Sequence, residues 1–353
     1  LAALILAPLA ALTDTSAERG VRTKLGLPGG GGLPCGATHD SPGWAGGGKL
    51  PGTIDEPRGV AVGGRVYLAG GTLEIVDYGK PSTVPGVPER VEVRSSRQVL
   101  RFDPRTREYD ELAQLPEPLN HVGLTTYGGD VYLVGGHGNI VFGADAKQGF
   151  WRYSVRDDRW SRMPPMPTAR GAATAQVIGD RLYVAGGMLR GRALRTLEAY
   201  DFSERRWHRL ADMPTPREHV PGAVVGGKLY VAGGRSEEDY SLRTVDRYDP
   251  RRDRWEHVPD LPQPEGGGEA VAIGGDLLVV GGGDDREKWV TGAVQRFDPA
   301  TGRWSRLPQM RTPRHGFAAA VVGERLWTFG GSPCALFAAS DVVESFAPGA
   351  GGT

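Results

Sequence analysis

The chain has 353 residues, and its 42 Lys plus Arg balance 42 Asp plus Glu. With no net charge there is no global field to draw it to nucleic acid or to an anionic membrane surface. Two cysteines are too few for a disulfide scaffold and lack the paired spacing of a zinc site, while 54 Gly and 27 Pro beside 39% hydrophobic residues exclude a fibrous or disordered chain and point to many short strands joined by tight turns.

Residues 1–12, LAALILAPLAAL, form an apolar run too short to span a bilayer. The run is expected to be the remnant of a signal peptide or of a clipped anchor; the alternative is a hydrophobic helix docked on the domain, which Pro8 would interrupt. That expectation places the protein outside the cytoplasm, secreted or in the cell envelope, with a membrane tether through the N-terminus as an option and a cytoplasmic location as the alternative. Residues 13–40 carry four consecutive Gly and no hydrophobic period, so a linker is expected there. Residues 41–348 are expected to fold, with 349–353 as a tail.

From Arg58 onward, apolar strands end in a Gly pair that recurs at Gly70 and Gly71, Gly135 and Gly136, Gly186 and Gly187, Gly233 and Gly234, Gly281 and Gly282, and Gly330 and Gly331. After each pair comes an aromatic usually trailed by Asp, as in Phe102-Asp103, Tyr200-Asp201, Tyr248-Asp249 and Phe297-Asp298. A polar turn and a second aromatic follow, at Tyr109, Trp160, Trp207, Trp255 and Trp304. A period of roughly 50 residues with these marks resembles the kelch repeat of the galactose oxidase-like propeller group. The resemblance spans about residues 44–347. It implies an all-β, six-bladed β-propeller whose blades are four-stranded antiparallel sheets, with strands a to d running from the central channel outward. Physics agrees, because one blade cannot bury both faces alone and six packed in a ring share a continuous core.

The sixth unit lacks an outer strand after Phe346. At the other end, Trp44 to Pro51 has the register of a strand d, so the N-terminal strand is expected to complete the last blade and close the ring, removing an exposed edge. Cys35 precedes that strand and Cys334 follows the last Gly pair. They either form a disulfide that clamps the closure or remain two free thiols.

In such a ring the b–c loops and the d–a links share one face, and in kelch proteins generally that face tends to carry ligand contacts. The first blade has a long b–c insert, TLEIVDYGKPSTVPGVPERVEVRSSRQ, which is too long for a hairpin; a lid over the channel mouth and a solvated excursion are both open. In the links, Leu119, Arg170, Arg217, Glu265 and Arg314 align, and the Arg are expected to hold neighbouring carbonyls. Two residues further lie Glu56, His121, Ala172, His219, Gly267 and Gly316. Some kelch domains carry an Arg there that helps bind acidic peptides; this chain has none.

His121 and His219, with His315 one residue out of register and His137 after the second Gly pair, are expected to be hydrogen-bonding rim residues without a metal. Glu56, Glu218, Glu265 and Glu269 in the links, and Asp239, Asp284, Asp285 and Glu287 in the loops beside Arg235, Arg286, Tyr240 and Trp289, could position a ligand hydroxyl or simply be solvated. The candidate ligand-binding set is therefore Glu56, His121, His137, Arg170, Arg217, Glu218, His219, Arg235, Tyr240, Asp284, Arg286, Trp289 and His315. No nucleophile–base pair or phosphate loop emerges, so the leading expectation is a monomeric, non-catalytic propeller that binds a protein segment or a glycan, with no cofactor. One alternative is a carbohydrate-active enzyme of mutarotase or epimerase type, and another is a structural scaffold of the envelope.

Overall fold

A computed structural model describes residues 35–80, 90–140, 144–284, 287–335 and 338–349. The chain divides into two compact units, Leu1–Cys35 and Gly36–Thr353. Of the first only Cys35 is described, so the expected leader and most of the expected linker lie outside the described residues. Within the second unit the chain is ordered earlier than Ser41: the His39 amide donates to the Arg311 carbonyl at 3.0 Å, and the Thr38 and Thr312 hydroxyls are 2.9 Å apart.

Six antiparallel four-stranded sheets follow in chain order. Blade 1 is Arg58–Val62, Arg65–Ala69, Val99–Phe102 and Tyr109–Glu111; blade 2 is Gly123–Tyr127, Asp130–Val134, Phe150–Ser154 and Arg159–Arg162. Blade 3 is Thr174–Ile178, Arg181–Ala185, Leu197–Asp201 and Arg206–Arg209; blade 4 is Gly222–Val225, Lys228–Ala232, Val245–Asp249 and Arg254–Val258. Blade 5 is Glu269–Ile273, Asp276–Val280, Val294–Asp298 and Arg303–Leu307. Blade 6 takes Ala318–Val322, Arg325–Phe329 and Ser340–Phe346 from the end of the chain and Trp44–Ile54 from its beginning.

Strand b of each blade reads as a continuous apolar run, such as Leu182, Tyr183, Val184 and Ala185, because both of its faces are buried. The core lies between blades. Tyr230, Val245 and Leu261 of blade 4 pack with Leu277, Val279 and Phe297 of blade 5, and comparable clusters join the other neighbours. Each outer Trp both fills such an interface and ties it: Trp160 Nε1 donates to the Ala113 carbonyl, Trp207 to Pro164, Trp255 to Ala211, Trp304 to Pro259 and Trp44 to Pro308, all at 2.7–2.9 Å.

Trp44 thus does for blade 6 what the others do for theirs. Its strand pairs antiparallel with the last one, Trp44 opposite Phe346 and Ile54 opposite Ser340, and runs three residues beyond the expected Pro51. The inserted glycines have a steric reason, since a Cβ on Gly47 would lie 2.6 Å from Val343 Cγ1. Both Cys35 and Cys334 are disulfide-bonded, so neither is a free thiol.

The Gly pairs are clamps on the links. A Cβ on Gly135 would stand 2.3 Å from the Arg170 carbonyl oxygen, and the amide of Gly136 donates to that oxygen at 2.9 Å. The same contact recurs from Gly71 to Leu119, Gly187 to Arg217, Gly234 to Glu265, Gly282 to Arg314 and Gly331 to Ile54.

One expectation fails. The described part of the first-blade insert is a two-stranded ribbon: Thr72–Lys80 pairs antiparallel with Arg90–Ser95, with register shifts along it. The apolar–polar alternation of Arg90–Ser95, RVEVRS, carries the ribbon. It leans towards blade 2, with the Val93 amide on the Asn139 carbonyl at 2.8 Å and Ser95 Oγ donating to the Gly138 carbonyl.

Candidate functional site at the channel mouth

The six d–a links meet at one end of the channel, and each turns there through a residue with positive φ: Glu56 at 53°, His121 at 51°, Ala172 at 55°, His219 at 47°, Gly267 at 79° and Gly316 at 59°. These are the six residues that the sequence aligns. The conformation is easy for glycine but costs a non-glycine residue about 1–2 kcal/mol. It persists because backbone bonds run from link to link around the mouth: Glu56 to Gly316, Gly316 to Gly267, Ala172 to His121 and Val220 to Ala172, at 2.7–3.3 Å.

That turn aims three side chains at one point. His121 Nε2 and His219 Nε2 are 3.0 Å apart, with ring centroids at 4.8 Å and planes at 83°. Glu56 lies beside both, its Oε1 3.4 Å from His219 Nε2 and its Oε2 3.6 Å from His121 Nε2. Glu56 and His121 are buried and His219 is nearly so. Each imidazole is held at its other nitrogen by the residue just before it in sequence: His121 Nδ1 meets Asn120 Oδ1 at 2.5 Å, and His219 Nδ1 meets the Glu218 carboxylate. Asn120 is itself fixed, donating through Nδ2 to Ser95 Oγ and the Gly138 carbonyl, both at 2.7 Å.

The electrostatics follow from this packing. Burial opposes the charge on Glu56, but His121, His219 and Arg58 outweigh it and hold its carboxyl well below the ordinary range. Burial lowers His121 to about 3 against the pull of Glu56. For His219 burial is outweighed by Glu218 and Glu56, which raise it to about 9. Between the two facing Nε2 atoms the pair therefore holds a single proton, on His219, unless another cation takes its place. His137 stands alongside, its ring centroid 5.5 Å from that of His121, and burial together with the two neighbouring imidazoles keeps it neutral.

Behind the mouth a central cavity of about 280 Å³ is lined by strands a, mostly by small residues such as Gly59, Ala61, Ala223 and Ala319, with Thr125, Thr174 and Gln176 as polar points. Arg58 and Glu269 form an ion pair at its edge. Glu265 is fully buried, and burial raises it to about 7 even though the amides of Gly268 and Gly234 donate to its oxygens.

Of the residues expected at a site, the structure brings together Glu56, His121, Glu218 and His219, with His137 beside them. Arg235 is buried and stacks on the Tyr240 ring at 5.8 Å. Arg170 and Arg217 are corrected to a purely structural role, as their alignment had suggested. Arg170 donates to the Gly186 and Thr196 carbonyls and to Glu198; Arg217 donates to the Gly233 and Thr244 carbonyls and to Asp246. Both are inaccessible. Asp284 also turns inward, accepting from Ser241 Oγ at 2.7 Å and the Glu287 amide at 3.0 Å, and Trp289 pairs with it across a short ribbon. His315 points away, with Nε2 3.1 Å from the Cys334 carbonyl oxygen. Arg286 lies outside the described residues. Asn120, Arg58 and the Arg58–Glu269 pair were missed; the first was legible, since an acceptor precedes both His121 and His219.

Comparison with known proteins agrees with this architecture. The model of the KLHDC2/KLHL20/DRC7 Kelch-repeats domain matches residues 120–331. Among curated proteins the chain is similar to Kelch-like protein 35 of Mus musculus (30% identity over 28% of this chain and 16% of that protein) and to Kelch-like protein terF of Aspergillus terreus (26% over 41% and 40%). Kelch-like protein 23 of Mus musculus is 31% identical over 30% of this chain and 18% of its own. The chain thus spans less than half the length of these relatives.

Proposed function

The chain belongs to the kelch-repeat family, and from that premise we propose a non-catalytic binding propeller that takes a segment of another protein on the face carrying the b–c connections and the interblade links. One observation carries the reading: the two faces differ in kind. On the proposed face three of the b–c connections are drawn out into ribbons, Thr72–Lys80 with Arg90–Ser95, Met188–Leu189 with Arg192–Ala193, and Gly283–Asp284 with Trp289–Val290, around the recessed polar mouth. On the other face the turns are closed by their own Asp side chains, as when Asp103, Asp201, Asp249 and Asp298 accept from backbone amides two residues on. Val76, on the first ribbon, is 62% exposed and so offers a probe position on this face.

An extracytoplasmic location is supported by the disulfide-bonded state of both cysteines, which persists in oxidising compartments. Action as a single copy is supported by ring closure, which leaves blade 6 with a paired outer strand. A photo-crosslinking amino acid at Val76, Tyr240 or Trp289 should give protein adducts in the producing cells, identified by mass spectrometry, whereas the same group at Arg105 or Ala300 should give none. Adducts confined to the latter pair would overturn the choice of face. If no protein is captured and a glycan array gives binding, the ligand is a sugar; anomer exchange followed by NMR would then detect the mutarotase alternative.

A further inference from the structure

We infer that Glu56, His121 and His219 form a binding site for one first-row transition-metal dication, with Zn²⁺ as the reference ion, at the floor of the channel mouth. This goes beyond the binding function above and does not depend on what the face binds; it also departs from the sequence expectation of rim histidines without a metal.

The spacing fits an ion. Ligand atoms about 2.1 Å from a metal lie about 3.4 Å apart at tetrahedral angles and about 3.0 Å apart at right angles. The contacts here are 3.0 Å between the two Nε2 atoms and 3.4 and 3.6 Å from them to the Glu56 oxygens. A proton shared between the imidazoles leaves the His121–Glu56 contact unsatisfied, because 3.6 Å is beyond a hydrogen bond. A dication engages all three at once.

The tautomers are also set. Asn120 Oδ1 and the Glu218 carboxylate are acceptors, so each Nδ1 carries a proton, and once the proton between the rings is given up each Nε2 turns a lone pair towards the other. Two facing lone pairs 3.0 Å apart repel unless a cation sits on both. An imidazole that donates its far N–H to an amide or carboxylate oxygen has its ring orientation and tautomer fixed, as metal-binding imidazoles do.

The backbone is consistent with a committed site. All three ligands occupy the strained left-handed position that the fifth and sixth links fill with Gly267 and Gly316. They come from three different links, so the ring fixes their separation. Two imidazoles and one carboxylate favour Zn²⁺, Co²⁺ or Fe²⁺ over Mg²⁺ or Ca²⁺. Three protein ligands leave coordination positions open, and the His219 side chain, 11% exposed against 4% and 3% for His121 and Glu56, marks the accessible side.

A second cluster, Asp201, Glu204 and His208, offers the same donor types with Glu204 exposed and Asp201 buried. Its groups are engaged otherwise, Asp201 with Arg181 and Ser203 and Glu204 with Arg206. It serves as the control. The chelator-stripped full chain is titrated with Zn²⁺ by calorimetry and with Co²⁺ by visible absorption. The expected result is one Zn²⁺ per chain and Co²⁺ d–d bands of a nitrogen and oxygen ligand set, with no competition from millimolar Mg²⁺.

Glu56→Gln and His219→Gln should each weaken Zn²⁺ at least 100-fold, Glu218→Gln should weaken it 10- to 100-fold by loosening His219, and His208→Ala should change nothing. Melting each variant in chelator checks that it folds, and the Co²⁺ spectrum of the unaltered chain stands without any variant. Absence of that spectrum, Zn²⁺ affinity equal to that of His121→Ala/His219→Ala, or binding lost in His208→Ala and kept in His219→Gln would each overturn the site.

Discussion

The links before blades 3, 4 and 6 and those before blades 1, 2 and 5 solve one problem in two ways. In the first group a buried Arg reaches from the link to two carbonyls of the next blade and to a carboxylate on its strand c: Arg170 to Glu198, Arg217 to Asp246, Arg314 to Glu344. In the second group both partners change together. Ile54 shares a core with Leu100, Leu119 shares one with Trp151, and blade 5 pairs the position of Glu265 with Gln295, which turns instead to the Gln263 amide at 2.8 Å. The lesson is that the clasp needs complementarity and not charge, as expected where the desolvation of two ions offsets most of their attraction.

The largest test of that comparison breaks one half of a clasp. Arg217→Met leaves Asp246 buried without its partner and should cost about 3–5 kcal/mol in chemical denaturation. Adding Asp246→Leu converts blade 4 to the apolar kind and should restore most of the loss. A double variant as unstable as the single one would show that the ion pair itself is required.

A second test uses the odd carboxylate. Glu265 is raised from an ordinary 4.5 to about 7 by burial, facing the charges of Arg235 and His219. The unfolded chain therefore gives up this proton first, and stability falls as pH rises from about 4.5 to about 7. Glu265→Gln abolishes that fall. Relative to the parent it should gain on going from pH 5 to pH 8, by up to about 3 kcal/mol at roughly 1.4 kcal/mol per unit. Parallel melting curves at the two pH values would remove the case for a protonated Glu265.

The smallest effect is expected from rebuilding the missing ionic clasp. Glu265→Arg with Gln295→Glu gives blade 5 the pairing of its neighbours and should stay within about 1 kcal/mol of the parent, whereas Glu265→Arg alone should be distinctly less stable. Equal losses in both would mean that the fifth link has a different backbone requirement.

These contrasts also explain what could be read from the chain. The blades, their order and the closing strand were legible because the Gly pairs and outer Trp repeat for reasons of close approach and interface filling, and such reasons leave a fixed residue at a fixed interval. The alignment even grouped Glu56, His121 and His219, since the positive φ belongs to the repeat. Their convergence was not legible: His121 and His219 belong to links two blades apart, and only the curvature of the ring and the direction of each turn bring their Nε2 atoms together. His315 shows the converse, being close in register yet turned to Cys334. The ribbon after Gly71 was misread because length was weighed above the alternation in Arg90–Ser95.

The shared sixth blade has a consequence for how the molecule is made. The strand Trp44–Ile54 leaves the ribosome long before Ser340–Phe346, its one sheet partner among the described residues. Every other blade can pair locally as it emerges, but this one joins residues separated by nearly the whole chain, the kind of contact that slows folding. Until then the nascent ring carries an unmatched strand edge on the Trp44–Ile54 side, at the stage when such edges are open to wrong partners. Synthesis of Ser340–Phe346 therefore decides when the ring becomes a single cooperative body.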